Sequence, residues 1–442
     1  MKLKKLQILI LFIFFVLNLC ICSFAGFDFN PQNHTTINSD ISNNLFINSE
    51  NNTSRGTLNF YQLFKIFSTD DSLSTINNSI AGQDASQWAN SQLGTPQYPV
   101  KAYQIKYWSI NFKNEPILVS GAVLVPMGVE SPMALQIFQH ATIIKNSSAP
   151  SDIEHSAETK ILAAVMASHG NIVAMTDYVG NGLCASSDNH DEYLYAESAA
   201  ENGADILIAV YQMLSKLNIS TNGKLFISGY SEGGQAAAAL ANLLQSNYPQ
   251  YPVTAAAFME GPYSITAELN YLLTPPGVAL NIGEFNLNVG SIICAKAMYA
   301  YNFIYGWTDN LNDLFVFPYA NRVMKNFETS SPDMIQLAFA FKQNTVEMLT
   351  SSFLNELYGR GKIANDIASN NTFNWTPVMP VIFLTSNADT LIPWKYQEPY
   401  YQQIEQSAPD KVSMQFSPFN LDHLQNLLPD LVLASKFFNN YQ

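Results

Sequence analysis

The sequence predicts an α/β protein in which a mostly parallel sheet is covered by helices on both faces. Short apolar runs that are typical of buried strands alternate with longer segments of helical composition. One of these runs passes through a glycine-flanked serine directly into an Ala/Leu-rich segment. The alternation covers residues 96–260 and resumes over residues 377–442, so we assign both ranges to one core.

Each element follows from its own pattern. Residues 103–112 alternate between apolar and polar like a half-buried strand, and residues 118–125 form a second strand that ends at Pro126. The other predicted strands are short apolar runs at residues 134–139, 172–176, 225–228, 253–259, 381–386 and 412–416. The predicted helices are residues 156–168, 194–217, 235–247, 396–406 and 425–438.

The composition is that of a globular protein with a large core. The chain has 442 residues, of which 48% are hydrophobic and 13% charged, and its net charge is −14. Three lysines, an apolar run over residues 8–17 and Ser23-Phe24-Ala25 are typical of a signal peptide covering residues 1–25. We therefore expect a secreted protein, extracellular or periplasmic. The acidic balance argues against nucleic acid as a partner.

Two segments interrupt the alternation. Residues 26–95 precede the core, and their first part, residues 26–60, is rich in Asn, Ser and Thr, which favours a poorly ordered or loosely docked arm. Residues 261–376 lack a strand–helix rhythm and contain helical runs such as residues 334–357. We interpret this second segment as a helical cap or lid over the sheet edge. The alternative is a second domain packed elsewhere.

Two cysteines, Cys184 and Cys294, lie beyond the predicted signal peptide. In an oxidising compartment they could form one disulfide, and two free buried thiols are an equal alternative.

The most informative motif is G-x-S-x-G, formed by Gly229, Ser231 and Gly233. It lies between an apolar strand and a helix, the setting of a nucleophile elbow, in which a strained turn exposes the serine hydroxyl. The glycines allow the helix to pack close to the strand, and the helix N-terminus offers free N–H groups to an oxyanion. The alternative is a Gly/Ser turn without chemistry.

A serine nucleophile needs a base and an acid that orients the base. In sheets with this elbow the partners follow the serine in the order acid, then histidine. His423 is the single histidine after Ser231 and precedes the closing helix. Asp389 follows a buried strand by a short turn, so we predict it as the acid in preference to Asp422 and Asp366.

The oxyanion hole requires two backbone N–H groups. We predict one from Glu232, which follows the nucleophile, and the second from the loop after residues 134–139, at His140 or Ala141. The His140 side chain either lines the pocket or stabilises its loop. Asp177, at the end of another strand, is interpreted as scaffold.

These residues resemble the secreted α/β-hydrolases of the secretory lipase family, related to the fungal lipase A type. The resemblance covers about residues 95–440 and implies an α/β-hydrolase fold with Ser231, Asp389 and His423 as the triad. It also implies a cap or lid at residues 261–376 and activity on carboxylic esters, some with long acyl chains. The matching pieces are Gly229-Tyr230-Ser231-Glu232-Gly233-Gly234, Asp177-Tyr178-Val179-Gly180-Asn181-Gly182, Gln139-His140-Ala141-Thr142, Ala149-Pro150-Ser151, Asp389 and Asp422-His423.

The functional hypothesis is a secreted serine hydrolase that cleaves esters, a lipase or esterase. We expect no cofactor, no metal and no obligate protein partner. The expected partner is a small-molecule or lipid ester, with transient contact to a lipid interface where the ester is a lipid. Two alternatives remain: a serine peptidase or amidase on the same fold, and a non-catalytic binding protein on a hydrolase scaffold.

Overall fold

The protein is built on a ten-stranded sheet in the order β1-β2-β3-β4-β6-β5-β7-β8-β11-β12. This computed structural model describes residues 45–48, 52–186, 189–282, 285–327, 337 and 339–442. The first four strands are antiparallel, and the six that follow in the order, β6 to β12, are parallel neighbours. The strands are β1 Leu45–Ile47, β2 Leu58–Phe67, β3 Val100–Ile110, β4 Pro116–Pro126, β5 Met133–Gln139, β6 Ile172–Thr176, β7 Thr221–Tyr230, β8 Ala255–Met259, β11 Val381–Thr385 and β12 Val412–Phe416.

Helices cover both faces of this sheet. Successive residues of a strand point to opposite faces, so Ile137 of β5 joins one hydrophobic cluster and Phe138 joins the other. α4, α5 and α11 pack on the first face, and α1, α2, α3 and α12 on the second. Their bounds are α1 Thr69–Asn77, α2 Gln83–Leu93, α3 Ala157–Val165, α4 Ala196–Lys216, α5 Glu232–Asn247, α11 Trp394–Ser407 and α12 Leu427–Asn439.

The central strands are buried on both faces, which explains their unbroken apolar sequences. Every residue of β5, β6, β8 and β11 is buried. A parallel sheet places the carboxyl ends of these strands along one edge, where ligands of open α/β sheets bind. Ser231, Glu260 and the loop that carries Asp389 all follow strands of this parallel part.

The described residues between 261 and 376 form helices, loops and two short strands, with a hydrophobic cluster of their own. That cluster also includes Leu194, Leu391 and Ile392 from loops of the sheet, so the inserted segment packs directly on the core. The predicted helical run at 334–357 is wrong over residues 341–344, where the polar sequence Lys342-Gln343-Asn344 interrupts it, but Thr345–Met348 form a 3-10 helix and Ser351–Tyr358 an α-helix. Residues 334–336 and 338 of this run lie outside the described residues. The elements are α6 Ile265–Leu272, β9 Leu280–Ile282, β10 Phe285–Leu287, α7 Val289–Tyr305, α8 Tyr319–Phe327, α9 Ser351–Tyr358 and α10 Lys362–Ala368.

The described part of the predicted arm is a sheet edge. β1 pairs with β2, and β2 pairs with β3, so Leu45–Ile47 and Leu58–Phe67 belong to the sheet. The reason is that β2 contributes Tyr61 and Leu63 to the core, while its Asn59 and Gln62 are only half-buried. Residues 26–44 and the predicted signal peptide lie outside the described residues.

Two further findings concern the cysteines and membranes. Cys184 and Cys294 are both free thiols, so the disulfide alternative is wrong in this structure. Burial raises the pKa of the Cys184 thiol to about 11. Within the described ranges, no helix combines the length and the hydrophobicity that a membrane span requires.

Candidate active site

Ser231 lies at a strained turn between β7 and α5. Its backbone has φ 58° and ψ −123°, a conformation that non-glycine residues rarely adopt. The glycines on either side permit close contacts. A Cβ on Gly229 would lie 2.0 Å from the Gly233 carbonyl oxygen, and one on Gly233 would lie 1.9 Å from the Gln139 carbonyl oxygen. Both positions therefore exclude a side chain, and the start of α5 packs directly against the loop after β5.

A chain of hydrogen bonds joins Ser231, His423 and Asp389. The His423 Nε2 atom lies 2.9 Å from Ser231 Oγ, and its Nδ1 atom lies 2.6 Å from Asp389 Oδ2. All three side chains are buried, with residue exposures of 7%, 1% and 4% for Ser231, His423 and Asp389. The structure thus brings the predicted nucleophile, base and acid together from three separate segments of the chain.

The Asp389 carboxylate is fixed by backbone donors. The N–H groups of Leu391 and Ile392 both donate to its Oδ1 atom at 2.8 Å, which leaves Oδ2 for His423. Burial by itself raises the pKa of Asp389. The charge and hydrogen bond of His423, with hydrogen bonds from Glu260 and Ile392, outweigh burial and bring the pKa below its ordinary value. This carboxyl is therefore held ionised beside the imidazole.

The two other acids considered from sequence have different roles. Asp422 accepts hydrogen bonds from the N–H groups of His423 and Thr390, at 2.8 and 2.9 Å, and so fixes the backbone of the histidine loop. Asp366 accepts from the indole of Trp307 in the inserted segment. Neither side chain is bonded to the His423 ring, so the preference for Asp389 agrees with the geometry.

The predicted oxyanion donors lie on two elements. Glu232 is the first residue of α5, so its N–H has no acceptor within the helix. The N–H of Ala141 donates to the carboxylate of Glu158, at 3.1 Å to Oε1 and 3.2 Å to Oε2. Burial raises the pKa of Glu158 to about 8. In this structure the Ala141 N–H is therefore hydrogen-bonded to the Glu158 carboxylate, whereas the Glu232 N–H has no acceptor within its own helix.

The His140 side chain stabilises its own loop. The ring is fully buried, its Nδ1 atom lies 2.7 Å from the Ala141 carbonyl oxygen, and it packs on the Tyr178 ring at a centroid distance of 4.1 Å. Burial lowers the pKa of His140. Of the two roles considered from sequence, pocket lining is thus wrong, and the loop-stabilising role is the one observed.

Asp177 has the predicted structural role. Its carboxylate accepts from the Ser120 hydroxyl and, at 2.8 Å, from the Ser151 N–H. These bonds join the loop after β6 to β4 and to the segment before α3. A Cβ on Gly182 would lie 1.9 Å from Asp177 Oδ2, which explains the glycine in this loop.

A partly buried ion pair connects the inserted segment to the nucleophile region. Lys296 of α7 donates to the Ile143 carbonyl oxygen at 2.8 Å and to the Asp191 carboxylate. The Glu232 carboxyl accepts from the Leu194 N–H at 3.5 Å and interacts with both charges. Burial, followed by the charge of Asp191, raises the pKa of Glu232 to about 8, and the charge of Lys296 opposes this shift. Sequence reasoning missed this group because its members come from distant segments.

Glu260 is the other residue that sequence reasoning missed. It follows β8 directly, 2% exposed, with φ 48°. Its position at the carboxyl end of a buried strand was a signal that could have identified it. Ligand-type atoms of Glu260, Asp389 and His423 all lie within 4.8 Å of one another. However, the 2.6 Å separation of His423 Nδ1 and Asp389 Oδ2 is that of a hydrogen bond and leaves no space for an ion between them.

The sheet order, the helices on both faces and the serine at the strand–helix turn define the α/β-hydrolase fold, as predicted. Comparison with solved structures shows the same fold. One similar structure is that of a Legionella pneumophila protein described provisionally as a hydrolase. Its TM-score is 0.75 at 22% sequence identity, and the match covers 87% of this chain and 98% of that chain. The rice cell wall degrading esterase LipA from Xanthomonas oryzae also has a TM-score of 0.75 at 22% identity, with 88% and 100% covered.

A more distant structure is lipase A from Candida antarctica. Its TM-score is 0.58 at 17% identity, with 88% of this chain and 83% of that chain covered. No family model matches the sequence, and no curated protein matches it either. At these identities the likeness establishes the fold, and the activity has to be argued from the site.

Proposed function

We propose that this protein is a serine hydrolase that cleaves carboxylic esters through a covalent acyl-enzyme. The observation that carries the proposal is the hydrogen-bond chain from Asp389 through His423 to Ser231, which ends on a serine at a strained turn. A serine hydroxyl 2.9 Å from an imidazole nitrogen can pass its proton to that nitrogen as it attacks a carbonyl carbon.

The reaction would proceed in two halves. In the first, Ser231 Oγ bonds to the ester carbonyl carbon, His423 Nε2 takes the hydroxyl proton, and Asp389 stabilises the imidazolium. His423 then returns the proton to the departing alcohol as the acyl-enzyme forms. In the second half, His423 removes a proton from water, the hydroxide attacks the acyl carbon, and Ser231 leaves with the proton from His423.

Backbone N–H groups would stabilise the oxyanion of both tetrahedral intermediates. The Glu232 N–H, at the start of α5, is one donor, and the positive end of the helix dipole adds to it. The second donor comes from the His140–Ala141 loop, which packs against Gly233. Use of the Ala141 N–H requires that the Glu158 carboxylate give up its hydrogen bond when substrate binds.

The test is hydrolysis of p-nitrophenyl esters from acetate to palmitate, with Ser231→Ala as the paired variant. Turnover by the wild-type protein and none by Ser231→Ala is the expected result. A fluorophosphonate probe should label Ser231 in the folded protein and should fail to label the alanine variant. If neither turnover nor labelling occurs in folded wild-type protein, the enzyme proposal is wrong and a binding protein on this scaffold becomes the better explanation.

An amidase or peptidase would use the same three residues, but no carboxylate-binding arginine is evident at the site. Arg322 donates to the Ala340 carbonyl oxygen at 2.7 Å and packs on Tyr319. Arg360 is exposed on the inserted segment. These positions favour an ester over a peptide terminus, and peptide p-nitroanilides provide the direct comparison.

Two exposed aromatic side chains support contact with a lipid interface. Phe317 and Phe339, both in the inserted segment, are 81% and 84% exposed. Large exposed aromatic groups are typical of surfaces that meet partners or lipids. Phe317→Ser with Phe339→Ser should lower activity on an emulsified triglyceride and leave hydrolysis of a soluble short-chain ester unchanged. Equal effects on both substrates would contradict the interfacial role.

Secretion is also part of the proposal and rests on residues 1–25. Expression of the full chain should yield an exported protein that begins after Ala25, as shown by N-terminal sequencing. Retention of the intact N-terminus on the exported protein would contradict the predicted cleavage.

A further inference from the structure

The carboxyl ends of two neighbouring strands place two acidic side chains against the same histidine. β8 and β11 are parallel, Met259 pairs with Leu384, and the Glu260 N–H donates to the Leu384 carbonyl oxygen at 2.9 Å. Glu260 therefore leaves its strand beside the turn that carries Asp389. Its backbone has a positive φ, and strain of this kind at a non-glycine residue persists only where the surrounding structure imposes it.

The Glu260 side chain is held from several directions. Asn426 Nδ2 donates to Oε1 at 2.6 Å, and the Thr385 hydroxyl donates to Oε2 at 3.4 Å. A carboxyl oxygen of Glu260 also lies within 4.8 Å of one of Asp389. Two carboxyl groups this close can form a hydrogen bond only if one of them carries a proton. Asp389 already accepts two backbone N–H groups and faces His423, so the proton belongs on Glu260.

The surroundings favour the same assignment. The ionisable groups that act on Glu260 and its neighbours are Asp389 from the turn after β11, Asp430 from α12, Tyr230 from β7, Tyr263, Glu268 and Tyr271 from the inserted segment, and Asp422 and His423 from the histidine loop. Burial, followed by the charges of Asp389 and Asp430, raises the pKa of Glu260 well above its ordinary value. A second carboxylate beside Asp389 would be repelled, whereas a neutral carboxyl is a hydrogen-bond donor.

We propose that Glu260 is a positioning residue of the triad, whose protonated carboxyl donates a hydrogen bond to Asp389 and so orients the carboxylate that holds His423. Glu260 acts on the base through Asp389 and does not exchange its proton during the reaction. The inference rests on the proposed function. It adds a fourth side chain to the Ser-His-Asp arrangement, supplied by the strand next to the one that carries the acid.

Two substitutions of Glu260 distinguish its role as a hydrogen-bond donor from any role of a negative charge on its carboxylate. In Glu260→Gln the amide keeps a donor for Asp389 and an oxygen for Asn426, but it cannot ionise. In Glu260→Met the side chain keeps its length and loses both functions. Glu192→Gln is the matched control, because Glu192 is a 7% exposed acid that accepts from the Phe112 N–H and lies outside the group formed by Glu260, Asp389 and His423.

The measurement is the pH dependence of the rate at which a fluorophosphonate labels Ser231, together with kcat and KM for a p-nitrophenyl ester. The acid limb of the pH profile, where the labelling rate falls as His423 becomes protonated, should be the same in Glu260→Gln and Glu192→Gln as in the wild-type protein. Glu260→Met should move that limb to higher pH by about half a unit, about threefold in rate at pH 6, because a carboxylate without its donor stabilises the protonated imidazole more strongly. The change should fall on kcat, with KM unchanged.

The labelling rate needs no ester turnover, so it tests Glu260 even if the substrate class is wrong. If Glu260→Gln moves the acid limb to lower pH, Glu260 is ionised in the working enzyme and the inference is overturned. If the acid limb of the pH profile does not move in Glu260→Met, the inference is overturned as well. Folded wild-type protein that the fluorophosphonate fails to label would also overturn it. If Glu260→Met does not fold, the Glu260→Gln profile alone decides, since retention of the wild-type limb supports a neutral donor.

Discussion

The contact between the nucleophile helix and the loop after β5 makes Gly233→Ala the most informative stability test. The new Cβ would lie 1.9 Å from the Gln139 carbonyl oxygen, 2.5 Å from the Gln139 carbonyl carbon and 2.7 Å from the His140 carbonyl oxygen. All three are backbone atoms, so rotation of a side chain cannot relieve the overlap. An ordinary contact of about 3.4 Å requires the helix and the loop to separate by about 1.5 Å.

That separation has two measurable consequences. Overpacking against fixed backbone should lower the free energy of unfolding by about 3 kcal/mol, which urea denaturation measures. The same movement displaces the His140–Ala141 loop from Ser231, and a misplacement of about 1 Å at a reacting group costs about 10²-fold in kcat. We therefore expect a folded but destabilised variant whose kcat for a p-nitrophenyl ester falls about 100-fold.

The control is Gly361→Ala in the inserted segment. There the nearest atom to a new Cβ is Glu356 Oε2, at 2.7 Å, which is the end of a side chain that can move away. Its free energy of unfolding should stay within about 0.5 kcal/mol of wild type, with kcat unchanged. A Gly233→Ala protein as stable and as active as Gly361→Ala would refute the close packing from which this prediction is derived.

Three further predictions follow from the site. Asp389→Asn should lower kcat by between about 10³- and 10⁴-fold with little change in KM, because an amide cannot stabilise the imidazolium. The control variant Asp366→Asn should leave steady-state kinetics unchanged. Comparable losses of activity in both variants would contradict the assignment of Asp389 as the acid. Lys296→Met should lower the free energy of unfolding by about 2 kcal/mol in a urea titration, because it leaves the partly buried Asp191 carboxylate without its partner. Unchanged stability would mean that the ion pair contributes nothing. Glu232→Gln should raise stability at pH 8 and leave it unchanged at pH 5. The pKa of Glu232 in the folded protein is about 8, above the ordinary value of 4.5, so the wild-type protein loses up to about 1.4 kcal/mol of stability per pH unit between these two values. Thermal melts at pH 5 and pH 8 should therefore show a gain for Glu232→Gln at pH 8 alone.

The local sequence predicted the parallel strands and the elbow well because both leave strong local signals. Buried parallel strands must be apolar along their whole length, and the serine turn requires glycines at fixed positions beside it. The edge at β1 and β2 was harder to predict. Its strand β2 contains Asn59, Gln62 and Lys65 among apolar residues, and it follows an Asn-rich stretch that indicates disorder when considered by composition alone.

The sequence by itself determined the order of the chemistry. One serine at an elbow, one histidine after it and an aspartate after a late buried strand sufficed to predict three side chains, because this order is dictated by how a parallel sheet is connected. Backbone hydrogen bonding in neighbouring parallel strands then places the ends of β7 and β8 and the turn after β11 at one edge of the sheet.

Only the tertiary structure decided which acids are ionised and which N–H groups are free. Glu158, Glu232 and Glu260 have no local feature that marks them, and their raised pKa values depend on burial by distant segments. The engagement of the Ala141 N–H by Glu158 likewise depends on how α3 packs beside β5. Such properties depend on distances of a few ångströms between segments far apart in the chain, because desolvation and charge interactions act through space.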